Sequence, residues 1–217
     1  GAREDGVKEL VALHDGHRES KESWLEVLRG LKARGLREAP KLAVGDGALG
    51  FWRALEEEFA GTREQRCWVH KTANILDKLP KHTQAHAKSL IHDMYLAGTY
   101  EEAVKAYDRF VDEYSAKWPK AVECLTKDKD VLFTFYDFPA EHWPHLRTTN
   151  PIESTFATVR HRTRQTKGCG SRTATLTMVF QLARQAEKHW RRLNGYQHII
   201  HLINNAVYKD GIMQKVA

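Results

Sequence analysis

Residues 41–52 read Lys41-Leu42-Ala43-Val44-Gly45-Asp46-Gly47-Ala48-Leu49-Gly50-Phe51-Trp52. The run Lys41–Val44 has the length and apolar character of a short buried strand, and the loop Gly45–Gly47 interrupts it. Phe51, Trp52, Leu55 and Phe59 then recur at helical spacing. The same alternation extends in both directions. Upstream, Lys8–Leu13 reads as a strand, and a helix carrying Trp24, Leu25, Leu28 and Leu31 follows it. Ser20 or Ser23 is placed to cap that helix, and Gly35 to end it. Downstream, Gln65–Val69 reads as another strand. A β-α-β-α-β order predicts an α/β fold in which helices cover a sheet.

From residue 71 to 140 the pattern becomes helical. Ala103, Tyr107, Phe110, Tyr114 and Trp118 make one apolar stripe, at i, i+4, i+7, i+11 and i+15. No strand-like run interrupts this block, which reads as an all-helical insertion. Tyr136-Asp137-Phe138-Pro139 and Pro144 mark its end. Two helices are expected to finish the chain, Pro151 to about Thr166 and Thr173 to about Leu193, joined by Gly168-Cys169-Gly170-Ser171. The expected organisation is therefore residues 1–75 as the first part of a core, 76–140 as the insertion, and 141–217 as a C-terminal helical part.

The chain has 217 residues, 41% hydrophobic and 29% charged, a composition suited to a globular protein. It holds no run of about 18 apolar residues, so no membrane span is expected. The polar start Gly1-Ala2-Arg3-Glu4-Asp5 does not read as an export signal. Cys67, Cys124 and Cys169 are too scattered for a disulfide framework, and a reducing, cytoplasmic setting is expected. Asp5-Gly6 is a hairpin-turn signal with only four residues ahead of it, so the chain is expected to begin inside a hairpin, as a truncated one would. The net charge of +6 is unevenly spread. Residues 147–192 hold ten Lys/Arg against two Asp/Glu, a net +8, which leaves 24 against 26, or −2, elsewhere. Such a stripe points to a polyanion, with nucleic acid first; a solvated helix face is the plainer alternative.

Two carboxylates stand out. Asp46, at the end of a buried strand, would project from a rigid sheet edge suited to holding a metal ion. Asp before Gly is also a common turn, and Asp a common cap. Gly45-Asp46-Gly47-Ala48-Leu49-Gly50 moreover matches the G-x-G-x-x-G phosphate loop between strand and helix, with Glu64 near the place of a ribose ligand. Against a dinucleotide site, Asp46 would set a negative charge beside the pyrophosphate, and helices rather than further βαβ units follow. Glu153 is the second carboxylate. In Asn150-Pro151-Ile152-Glu153 it occupies the third helical position of a capping box. It also borders the apolar face Ile152, Phe156 and Val159, at the head of a helix whose Arg160, Arg164 and Lys167 form a track suited to phosphates. Cys67-Trp68-Val69-His70 offers half a zinc site, but structural zinc takes four ligands and no second pair is present. A buried cysteine with an orienting histidine is the simpler account.

Taken together, Val44-Gly45-Asp46-Gly47-Ala48, Gln65-Arg66-Cys67-Trp68-Val69-His70-Lys71, Tyr136-Asp137-Phe138-Pro139-Ala140-Glu141-His142-Trp143, Arg147-Thr148-Thr149-Asn150-Pro151-Ile152-Glu153-Ser154 and Thr166-Lys167-Gly168-Cys169-Gly170-Ser171-Arg172 make the sequence resemble the bacterial Mutator-type insertion-sequence transposases. The resemblance implies a ribonuclease H-like core, incomplete at its N-terminus, with an all-helical insertion before the last acidic residue. It implies D-D-E chemistry with Mg²⁺ or Mn²⁺. Asp46 takes the place of the second Asp, Glu153 that of the Glu, and Cys67 and His70 form the supporting C-x-x-H element. The DNA contacts would come from Arg147, Asn150, Arg160, Arg162, Arg164, Lys167 and Arg172. No residue here matches the family's first Asp, which lies on an earlier strand. The 217-residue chain is therefore expected to be inactive alone, and a DNA-binding remnant is the alternative to an enzyme. The implied partners are element-end and target DNA and further copies of the chain, in a nucleoid-associated setting.

Overall fold

The computed structural model describes residues 1–14, 20–165 and 171–215, without the side chains of 150–155, 163 and 165. Asp15, Lys167 and Cys169 lie outside the described residues, as does most of the linker expected at 168–171. The described chain gathers into two compact units.

The first unit comprises residues 1–39, 48–61 and 149–200. Its helices are α1 (Lys21–Ala33), α2 (Leu49–Glu58), α9 (Asn150–Gln165) and α10 (Arg172–Glu187). Ser20 and Ser23 both serve at the start of α1, as a reciprocal capping box that satisfies two backbone N–H groups. Leu25 and Leu28 of α1 and Ala54 and Leu55 of α2 are buried, and Trp24 meets Phe51 edge-on at 4.8 Å. The strand expected at Lys8–Leu13 does not form; one antiparallel bridge, Ala2 to Lys8, closes the Asp5-Gly6 turn. The backbone of the run finds other partners. Glu9 exchanges bonds with Gly1, and the Leu10 N–H donates to the Glu187 carboxylate at 2.6 Å. With these groups satisfied, alternation alone did not produce a ladder.

The second unit comprises residues 40–47, 62–148 and 201–217. Its sheet pairs β1 (Leu42–Gly45) with β2 (Arg63–Arg66) in parallel, Leu42 opposite Arg63 and Gly45 opposite Arg66. The expected strand Gln65–Val69 is thus displaced, because α3 (Trp68–Leu76) begins within it. Trp68, Lys71, Thr72 and Ile75 are buried at helical spacing, and that periodicity prevails over the short alternation around Cys67 and Val69. Then follow α4 (Lys81–Leu96), α5 (Tyr100–Tyr114), α6 (Pro119–Thr126), α7 (Lys129–Leu132) and α8 (Trp143–Leu146), with two 3₁₀ turns at Thr134–Asp137 and Ala140–His142.

Four of the five stripe residues read from the sequence, Ala103, Tyr107, Phe110 and Tyr114, form the buried face of α5, whereas Trp118 lies beyond it at the N-cap of α6. They join Trp68, Ile75, Leu90, Ile91, Met94, Leu125, Phe133, Phe135, Tyr136 and Trp143 in one cluster. This aromatic core is fastened to the sheet. Gln65 donates to the Leu132 carbonyl at 2.9 Å and accepts from the Phe135 N–H at 2.8 Å, and the Trp68 indole also donates to Leu132 at 2.9 Å.

The chain does not finish on two helices. Beyond α11 (Ile199–Ile203), β3 (Tyr208–Lys209) pairs antiparallel with β4 (Ile212–Met213). Asp210 and Gly211 both have positive φ, 50° and 78°, the signature of a tight hairpin turn. Gly211 is wedged against Ala140, its N–H donating to Tyr136 at 3.1 Å and its carbonyl accepting from Ala140 at 3.2 Å.

Candidate active site

β1 ends at Gly45, and Asp46 follows it with an exposed side chain. The parallel pairing brings the C-x-x-H element to the same end of the sheet, where the Cys67 N–H donates to the Gly45 carbonyl at 2.7 Å. Cys67 is buried and precedes α3, so His70 falls in the first turn of that helix. The sheet thus places Asp46 and the start of the C-x-x-H element at the same end of the β1–β2 pair.

Beneath them lies a buried ionic group. Lys71 is fully buried and donates to Asp128 Oδ2 at 2.6 Å, and Arg66 Nε reaches the same oxygen at 3.2 Å. Burial draws the Lys71 ammonium below its ordinary pKa despite the neighbouring carboxylate. For Asp128 burial pushes upward, but the bonds and charges of Lys71 and Arg66 prevail and hold it below the usual carboxylate range.

Glu153 lies in the first turn of α9 together with Asn150; both side chains, like Lys167, are outside the described residues. Arg160, Arg162 and Arg164 are exposed along α9, and Arg172 is exposed at the start of α10. Arg147 differs from these. It is half-buried, with its guanidinium over the rings of Phe135 at 4.7 Å and Trp143 at 5.2 Å, and its carbonyl accepts from Trp68 at 2.9 Å. The exposed Asp46 carboxylate offers hard oxygen donors of the kind that Mg²⁺ or Mn²⁺ takes beside water and substrate oxygens. Among the described residues no three His, Cys, Asp or Glu side chains gather as a metal cluster, and no helix is long and apolar enough to cross a membrane.

The model of the Mutator family of transposases matches residues 1–193. The chain belongs to that family. It is 55% identical over 212 residues to the transposase for insertion sequence element IST2 of Acidithiobacillus ferrooxidans, covering 98% of this chain and 72% of that one. It is 53% identical over 212 residues to the transposase for IS6120 of Mycolicibacterium smegmatis, covering 97% and 65%. The transposase for IS1081 of Mycobacterium tuberculosis is 30% identical over 163 residues, covering 75% and 39%. The chain thus spans about two thirds of the length of the first two relatives, and less of the third.

Within this Mutator-family chain, residues 45–50 run from the end of β1 into the start of α2. The Arg66 guanidinium lies against Gly47. Arg66, Lys71 and Asp128 were not identified as site residues from the sequence. Lys71 did carry a signal, a charge on the buried face formed by Trp68, Thr72 and Ile75. Asp128, 57 positions from Lys71, carried none.

Proposed function

We propose that this chain forms the catalytic region of an insertion-sequence transposase on a ribonuclease H-like core, with Asp46 and Glu153 as carboxylates of a D-D-E site. The observation that carries the reading is the family match over residues 1–193, within which Asp46 stands exposed at the end of a strand beside the C-x-x-H element. In the first step a water oxygen attacks the phosphodiester at the element end. One P–O bond forms, one breaks, a 3′-OH is freed, and the proton passes to solvent. In the second step that 3′-OH attacks a target phosphodiester and displaces a target 3′-OH. One P–O bond again replaces another, so joining needs no external energy source. Asp46 and Glu153 would hold Mg²⁺ or Mn²⁺, which supplies charge stabilisation for an in-line displacement. The two carboxylates act from an exposed strand end and a helix start. Further copies of the chain complete the active assembly.

The test is a supercoiled-plasmid nicking and strand-transfer assay with Mg²⁺ or Mn²⁺, run on the full gene product. Metal-dependent nicking and joining by the full product is expected. A full product that binds DNA without ever cutting it would instead be the DNA-binding remnant.

DNA binding is proposed to run along α9 and into α10. Their exposed arginines suit phosphate contacts, which set position without reading sequence. Each contact contributes roughly −0.9 to the slope of log K against log salt on duplex DNA. Replacing Arg160, Arg164 and Lys167 together by Ala should flatten that slope by about 2.7, similarly on unrelated duplexes. A parent slope in the triple variant, measured by fluorescence anisotropy across a salt series, contradicts the assignment.

A further inference from the structure

We propose that Arg66 is a positioning residue for Asp46, held in place by Asp128 and Lys71; this rests on the reading of Asp46 given above. Gly47 has φ +96°, a conformation that L side chains avoid. A Cβ built there would fall within the Arg66 guanidinium, 2.5 Å from both Nε and Nη1. The guanidinium therefore lies directly against the backbone that follows Asp46. On the other side, Gly45 is fixed by its ladder position opposite Arg66 and by the Cys67 N–H. Asp46 is thus bracketed, with its two neighbours held and its own carboxylate left exposed.

Arg66 is built to stay where it is. Its residue is 5% exposed, and Nε is bound to the Asp128 oxygen that also accepts from Lys71. Nη1 is buried and finds no hydrogen-bond partner among the described residues. Such an orphaned donor is costly, and here it packs on the Asp46-Gly47 turn. The same burial withholds Nη1 from a DNA phosphate, which favours positioning over substrate binding. Asp128 directly precedes α7, and Gln65 and Trp68 tie the Leu132 carbonyl of α7 to the end of β2. The helical block, through Asp128 and Arg66, thereby sets the loop that presents Asp46.

The test uses the full gene product, with Mn²⁺ binding read by electron paramagnetic resonance, strand-transfer rate, DNA affinity and unfolding midpoint measured together. Arg66→Lys keeps a cation for Asp128 but removes the plane against Gly47. It should weaken Mn²⁺ binding and slow strand transfer about 10–100-fold, with DNA affinity unchanged and the midpoint little altered. Gly47→Ala should show a comparable loss. Combined with Arg66→Ala, which vacates the contested space, Gly47→Ala should add less than it does alone. Wild-type Mn²⁺ affinity in Arg66→Lys, or strictly additive effects of Gly47→Ala and Arg66→Ala, overturns the inference. Asp46→Asn separates the two levels. If it abolishes Mn²⁺ binding while Arg66→Lys does not change it, only the positioning role fails. If Asp46→Asn leaves Mn²⁺ binding intact, the reading of Asp46 fails and the positioning role with it.

Discussion

In the full gene product, Asp46→Asn is expected to slow strand transfer about 10³-fold, the scale of losing one preorganised charge-stabilising group. DNA affinity and its salt slope should not change. Asn matches Asp in size and keeps one carbonyl oxygen, but it removes the negative charge that a hard divalent cation prefers. The side chain is exposed beyond β1, outside the aromatic core, so fold stability should be little affected. A gel assay at saturating DNA, paired with thermal unfolding, separates the two effects. Transfer within tenfold of wild type in a folded Asp46→Asn variant would remove Asp46 from the chemistry.

Asp128→Ala should act on stability instead, costing about 3 kcal/mol. Lys71 is fully buried and the Arg66 side chain is 6% exposed, and both contact one Asp128 oxygen. Removing that carboxylate leaves two buried cations side by side, which is far costlier than losing a surface pair. The unfolding midpoint should fall by about 6–12 °C. The acid limb carries a second signature. The Asp128 carboxyl is held below its usual range in the folded state, so its contribution is present above the unfolded value of about 3.9 and is lost as pH falls through the folded value. In Asp128→Ala that part of the acid dependence should vanish. The Lys71 shift works the other way at neutral pH, where the buried ammonium costs stability that is recovered as pH rises through the alkaline range. A variant with a wild-type midpoint at pH 7 would show that the ionic group does not hold the unit together.

The elements legible in the sequence were those whose periodicity coincides with local burial. The stripe from Ala103 to Tyr114 became the inner face of α5, and Ser20 and Ser23 both capped α1, because those signals depend on residues within a few positions. Lys8–Leu13 misled because alternation describes a strand only when a neighbouring strand supplies the ladder. Here Gly1 and the Glu187 carboxylate supply the partners. The terminal hairpin was missed in favour of a helical end, although Asp210-Gly211 carries the same turn dipeptide as Asp5-Gly6.

At the site, the placement of Asp46 after a short strand was legible from the apolar run ahead of it, and the parallel pairing of β1 with β2 sets Gly45 against Cys67. The support beneath them was not. Nothing local links Asp128 to Arg66, 62 positions earlier, and only folding reveals that Gly47 is glycine where Arg66 needs the room. The family match shows what the chain is related to. The pairing of Asp46 with Glu153 is tested by a crystal structure.

The deciding measurement is a crystal structure of the full gene product soaked with Mn²⁺, with anomalous scattering recorded at the manganese edge. Manganese held by the carboxylates of both Asp46 and Glu153 is the predicted result. Carboxylates more than about 10 Å apart, too far to share a metal pair, or manganese bound away from Asp46, would contradict it.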